Sequence, residues 1–162
     1  MKIFGIVGWK NTGKTFLAQM LIKNFISLGL KVASIKHAHH NFEIDKPETD
    51  SFLHRKSGSS QIIISSSNRW AKITELNGKK EKTLNDLINE IDPVDVIVIE
   101  GFKKEDHSKF EIIKDPSDPS CFLFPKLKNV IGLISNQKID SRIKHFKKND
   151  IINLSNYILK TL

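Results

Sequence analysis

The stretch GWKNTGKT, Gly8 to Thr15, constrains this chain more than any other. It follows the apolar run KIFGIVG (residues 2–8), which is too short for a helix and reads as a buried strand. Beyond it Leu17, Leu21, Phe25 and Leu28 recur at helical spacing, and Gly29 stands where such a helix would stop. A GxxxxGK[ST] pattern at a strand-to-helix junction is a phosphate-binding loop. Gly8 and Gly13 allow a tight turn that brings backbone N–H groups towards phosphate oxygens, and the helix that follows adds partial positive charge. Lys14 is expected to reach the β and γ phosphates, and Thr15 to offer its hydroxyl to Mg²⁺. Trp9, Lys10, Asn11 and Thr12 form the loop's variable interior and complete the expected nucleotide contacts.

The rest of the chain alternates. KVASIK (31–36) reads as a second strand, Pro47 and Thr49 as the start of a short helix through Ser51 to Lys56 stopped by Gly58, and SQIIIS (60–65) and RWAKITEL (69–76) as strands. Thr83 suits an N-cap for a helix carrying Leu84, Leu87, Ile88 and Ile91. VDVIVIEG (94–101) is the strongest buried-strand signal, followed by strand candidates KFEIIK (109–114) and NVIGLIS (129–135) and a last helix near 150–162. Near-continuous apolar strands alternating with helices predict an α/β fold of the P-loop NTPase kind. Its sheet is expected to be mostly parallel, with helices on both faces. At 162 residues the chain is expected to form one domain over 1–162.

Composition narrows the partners. The net charge of +8 favours anionic ligands such as nucleotides. In the basic carboxyl-terminal part, Phe146 and Tyr157 do not interleave into a base-stacking platform, so nucleic acid is not the expected partner. No stretch approaches the roughly 18 to 20 apolar residues needed to span a bilayer, so no membrane partner is expected. The lone Cys121 cannot form an internal disulfide, which points to a reducing, cytoplasmic compartment.

An acidic residue at the end of a second buried strand normally completes a phosphate-loop site, and Glu100 in VIVIEG occupies that place. Gly101 beside it would let backbone approach the γ phosphate. KHAHHNFEID (36–45) leaves three readings open: a transition-metal site using His37 and His39, a polar loop, or a segment facing the nucleotide. In the last, Lys36 neutralises phosphate charge and Asp45 holds or orients a metal-bound water. Lys14, Asp45 and Glu100 then form the expected catalytic set, and Thr15, Asp45 and Glu100 the metal set.

With the phosphate loop, KHAHHNFEIDKPETDS and EGFK placed in order, the chain resembles the molybdopterin-guanine dinucleotide biosynthesis protein B family, MobB, over nearly its whole length. One departure is Glu48, where family members often carry glycine. The resemblance implies a GTP- and Mg²⁺-binding adaptor with weak GTPase activity, usually a homodimer. Such a protein assists the guanylyltransferase of molybdenum cofactor biosynthesis, and a molybdopterin derivative is a further implied ligand. Guanine preference is inherited in the same way. SNQKID (135–140) holds Asn136, Lys138 and Asp140 at altered spacing from the NKxD base-reading motif, and makes Asn136 a candidate base contact. The alternatives are a metal-chaperone GTPase, a small-molecule P-loop kinase using HRKSGSS (54–60), and an interaction module that retains nucleotide binding.

Overall fold

A computed structural model describes residues 1–38 and 42–162. In chain order the elements are β1 (Lys2–Val7), α1 (Lys14–Ser27), β2 (Val32–Lys36), α2 (Asp50–Lys56), β3 (Gln61–Ser65), β4 (Trp70–Thr74) and α3 (Leu84–Ile88). There follow β5 (Val96–Glu100), β6 (Ser108–Ile112), a 3-10 turn at Pro119–Cys121, β7 (Val130–Ile134), β8 (Lys144–Phe146) and α4 (Ile151–Thr161). These residues gather into two compact units: Met1–His37 with Leu84–Leu162, and Ala38–Thr83.

Unit one is built on a six-stranded sheet in the order β2-β5-β1-β6-β7-β8, with every strand pair parallel. Side-chain alternation sends Phe4, Ile6, Val96, Val98, Phe110 and Ile112 to one face, where Leu17, Leu21 and Phe25 of α1 and Leu154 and Ile158 of α4 cover them. Phe4 sits edge-on to Phe25 and Phe110, with ring centroids 6.1 and 5.9 Å apart. The opposite face carries Ile35, Ile97 and Ile99 against Leu84, Leu87 and Ile88 of the α3 region. Burying each such side chain contributes roughly 1.5–3 kcal/mol. Gly29, with φ +79, follows α1 as its spacing suggests.

Unit two contains α2 and the antiparallel pair β3–β4, whose register sets Ile62 opposite Ile73 and Ser65 opposite Trp70. Within unit two, Arg55 of α2 holds Asp45 through two hydrogen bonds, Nε to Oδ2 at 3.1 Å and a terminal nitrogen to Oδ1 at 2.9 Å. Glu43 and Glu75 lie 3.7 and 3.8 Å from the same guanidinium. Glu48 adopts φ +67, the left-handed backbone that glycine takes without penalty. A glycine at this position would therefore relieve the backbone.

Candidate functional site

The phosphate loop leaves β1 where only glycine fits. A Cβ on Gly8 would lie 2.6 Å from the Ile112 carbonyl oxygen and 2.9 Å from Thr12 Oγ1. The loop closes on itself at the Trp9 carbonyl, which accepts hydrogen bonds from Thr12 Oγ1 at 2.9 Å and Lys14 Nζ at 2.7 Å. Gly13, at φ +98, is the N-cap of α1, so no side chain caps the first turn and its N–H groups face the loop. That is the geometry of an anion site at a helix amino end. Lys10, Asn11, Gly13, Lys14, Thr15, Phe16 and Glu100 line a cleft of about 340 Å³.

Strand register brings the acid to the loop. β5 lies between β1 and β2, with Glu100 opposite Ile6 on one side and Lys36 on the other. Thr15 Oγ1 donates to Glu100 Oε1 at 2.9 Å and Oε2 at 3.1 Å, and Lys36 Nζ lies 3.6 Å from Oε1. The Glu100 side chain is only 14% exposed. A hydroxyl and a carboxylate in contact are hard oxygen donors, the type Mg²⁺ takes beside phosphates and water. Burial lowers the pKa of Lys14. The Glu100 carboxylate opposes that shift, and the nearby Lys103 and Lys36 add to it.

Gly101 turns the chain out of β5. Its N–H donates to the Ile6 carbonyl at 3.2 Å, its φ is +100, and a Cβ there would sit 2.8 Å from the Cβ of His37. His37 donates its own N–H to the Glu100 carbonyl at 2.9 Å and stacks its ring on Phe102 at 4.3 Å between centroids. This histidine thus packs under the turn. His39 and His40 lie outside the described residues, and among the described residues no three His, Cys, Asp or Glu side chains are arranged to hold a metal. Asn136 is exposed just beyond β7, at the edge where all the parallel strands end. Asp45 belongs to unit two, where Arg55 occupies both its oxygens and holds its carboxyl below the usual range.

Three charged side chains of unit one were not legible as buried or aimed. Glu111 is 1% exposed and accepts the N–H groups of Leu123 and Phe124, each at 2.7 Å. Burial raises its pKa and those two donors oppose the rise. Lys109 is fully buried among the carbonyls of Glu105, His107 and Lys128. Lys103 lies over the Trp9 ring at 5.1 Å. EGFK contained the only available sign of the last, a lysine three positions after the acid.

A parallel sheet with a glycine loop at the end of β1, a helix behind it and an acid at the end of the adjacent β5 defines a P-loop NTPase-like protein. The family model for MobB, molybdopterin guanine dinucleotide synthesis protein B, matches residues 3–136, and the chain belongs to that family. The molybdopterin-guanine dinucleotide biosynthesis adapter protein of Escherichia coli K12 is 31% identical over 160 residues, covering 98% of this chain and 91% of the relative. The protein of the same name from Haemophilus influenzae is 39% identical over 105 residues, 64% of this chain and 58% of its own length. A crystal structure of Bacillus subtilis MobB superposes with a TM-score of 0.78 at 22% identity, covering 100% of this chain and 98% of the other. No helix among the described residues is long and apolar enough to cross a membrane.

Proposed function

We propose that this chain is the adapter of molybdopterin guanine dinucleotide biosynthesis, binding GTP with Mg²⁺, hydrolysing it slowly and assisting the guanylyltransferase as a cytoplasmic homodimer. The observation that carries the nucleotide reading is the contact of Thr15 with Glu100 at 2.9 Å beside the Gly8–Lys14 loop. Residues 1–162 then act as one nucleotide-binding domain, with Ala38–Thr83 inserted between β2 and α3.

In this reading the loop N–H groups and Lys14 bind the phosphates, and Lys36 offsets the charge of Glu100. Thr15 and Glu100 hold Mg²⁺, which supplies charge neutralisation at the β and γ phosphates. Asp45 is left out of that set because its carboxylate is committed to Arg55. Gly101 admits the backbone to the γ phosphate, and Asn136 meets the base. Hydrolysis proceeds by positioning and charge neutralisation. Arg55 is surrounded by three carboxylates in unit two, so a transition-state cation has to come from elsewhere.

The adapter role is tested by pull-down of the guanylyltransferase with the purified chain, with and without GTP. Retention that depends on GTP and fails in Lys14→Ala is expected. Absence of association under both conditions would refute the role.

A further inference from the structure

Lys103 stands two residues beyond Gly101 on the turn that leaves β5, and that turn has an unusual backbone. Gly101 and Phe102 both adopt positive φ, +100 and +47. For phenylalanine this conformation is unfavourable, so the surroundings must enforce it. Phe102 is buried in the cluster of Ile35, Leu84, Ile97 and Ile99, and the His37 ring stacks on it. With that ring anchored, the next side chain returns over the phosphate loop. Lys103 Nζ lies 5.1 Å from the centroid of the Trp9 ring.

Trp9 is itself fixed. Its Nε1 donates to the Cys121 carbonyl at 2.7 Å, and its own carbonyl accepts Lys14 Nζ at 2.7 Å. A surface cation on an indole face gains little by itself. The charges say more. Lys14 and Lys36 lie beside the Glu100 carboxylate, Lys103 acts on the buried Glu111, and both Lys36 and Lys103 disfavour the charged form of Lys14. Lys36 is paired with Glu100, while Lys103 makes no ion pair among the described residues. A cation that stands beside a phosphate loop and makes no such pair is suited to an anion.

We propose that Lys103 is a second phosphate-site cation, which exchanges the Trp9 ring for an oxygen of the terminal phosphate of a bound nucleoside triphosphate and so favours triphosphate over diphosphate. The choice of the terminal phosphate follows from the turn. Lys103 extends from the strand that carries the metal-side acid, whereas the α and β phosphates are cradled by the loop and the start of α1. The inference deepens the nucleotide-binding reading above and rests on it.

The chain has two tryptophans, Trp9 and Trp70, and Trp70 is 69% exposed, so Trp70→Phe leaves Trp9 as the sole indole reporter at little structural cost. In that background Lys103, Lys103→Ala and Lys103→Arg are titrated with GTP and with GDP, each with Mg²⁺, by calorimetry and by Trp9 fluorescence. Lys103→Ala is expected to weaken GTP about tenfold and GDP no more than about twofold, with Lys103→Arg restoring most of the difference. The fluorescence change that GTP induces should disappear in Lys103→Ala. Equal losses for both nucleotides, or unchanged GTP affinity, would overturn the proposal. If the parent chain bound neither nucleotide, the underlying reading would fail first, and the parent titration identifies that case.

Discussion

β5 in unit one and the β3–β4 pair in unit two draw on similar residues, yet they end in opposite environments. Ile97 and Ile99 are fully buried, whereas Ile63 and Trp70 are 67% and 69% exposed. Strand propensity alone made both segments strands, but only β5 has strands on both sides and helices over both faces. In unit two, Ile62 is the sole buried hydrophobic side chain among the described residues, and the Arg55 cluster supplies the strongest polar contacts. Unit one is therefore held mainly by apolar burial, which resists salt. Unit two depends far more on charge, which salt and acid weaken.

The sharpest way to break unit one alone is Gly101→Val. It forces a β-branched residue to φ +100 with its Cβ 2.8 Å from that of His37, and is expected to cost about 3 kcal/mol in urea unfolding. An unchanged midpoint would show that the turn is relaxed.

Acid separates the two units by pH. Burial lowers the pKa of His107 from 6.5 to about 4, and neither ring nitrogen has a hydrogen-bond partner. The unfolded chain thus takes up this proton below pH 6.5 while the folded chain does not. Stability should be full above that value and fall as the pH drops towards about 4. His107→Phe should flatten that slope in unfolding measured across the window. Asp45 behaves differently: its folded pKa lies below 3.8, so its contribution is present above that value and is lost only as the pH falls through the lowered one.

A smaller effect is expected from Arg55→Met, which removes the partner of Asp45, Glu43 and Glu75. Amide exchange should quicken in residues 42–83 and stay unchanged in β1 and β5, and high salt should reproduce part of the change in the parent chain. Uniform quickening would erase the contrast between the units. The smallest is a gain: Glu48→Gly relieves a left-handed residue and should stabilise unit two by up to about 1 kcal/mol, read as slower exchange.

Most of unit one could be read from the sequence because its signals are local. The eight-residue loop, the apolar run ending in Glu100 and the helical spacing of Leu17, Leu21 and Phe25 each identify themselves. β8 escaped notice because three residues, Lys144–Phe146, at a sheet edge carry too short a pattern. The exposure of Ile63 and Trp70 depends on what covers a strand, which the strand's own residues do not encode. Asp45 looked like a metal ligand since nothing in KHAHHNFEID reveals that Arg55, ten positions later, takes its carboxylate. Lys103 was hidden for a different reason. Its direction depends on a positive φ at Phe102, a conformation that no phenylalanine announces.

The central claim is that the ends of β1 and β5 form a nucleotide site, and the most direct test is calorimetric titration of GTP with Mg²⁺ into the chain and into Lys14→Ala. The parent chain is expected to bind and the variant to bind at least about a hundredfold more weakly, since two charge-assisted phosphate contacts are lost. Equal affinities, or no binding by the parent chain at millimolar GTP, would contradict it.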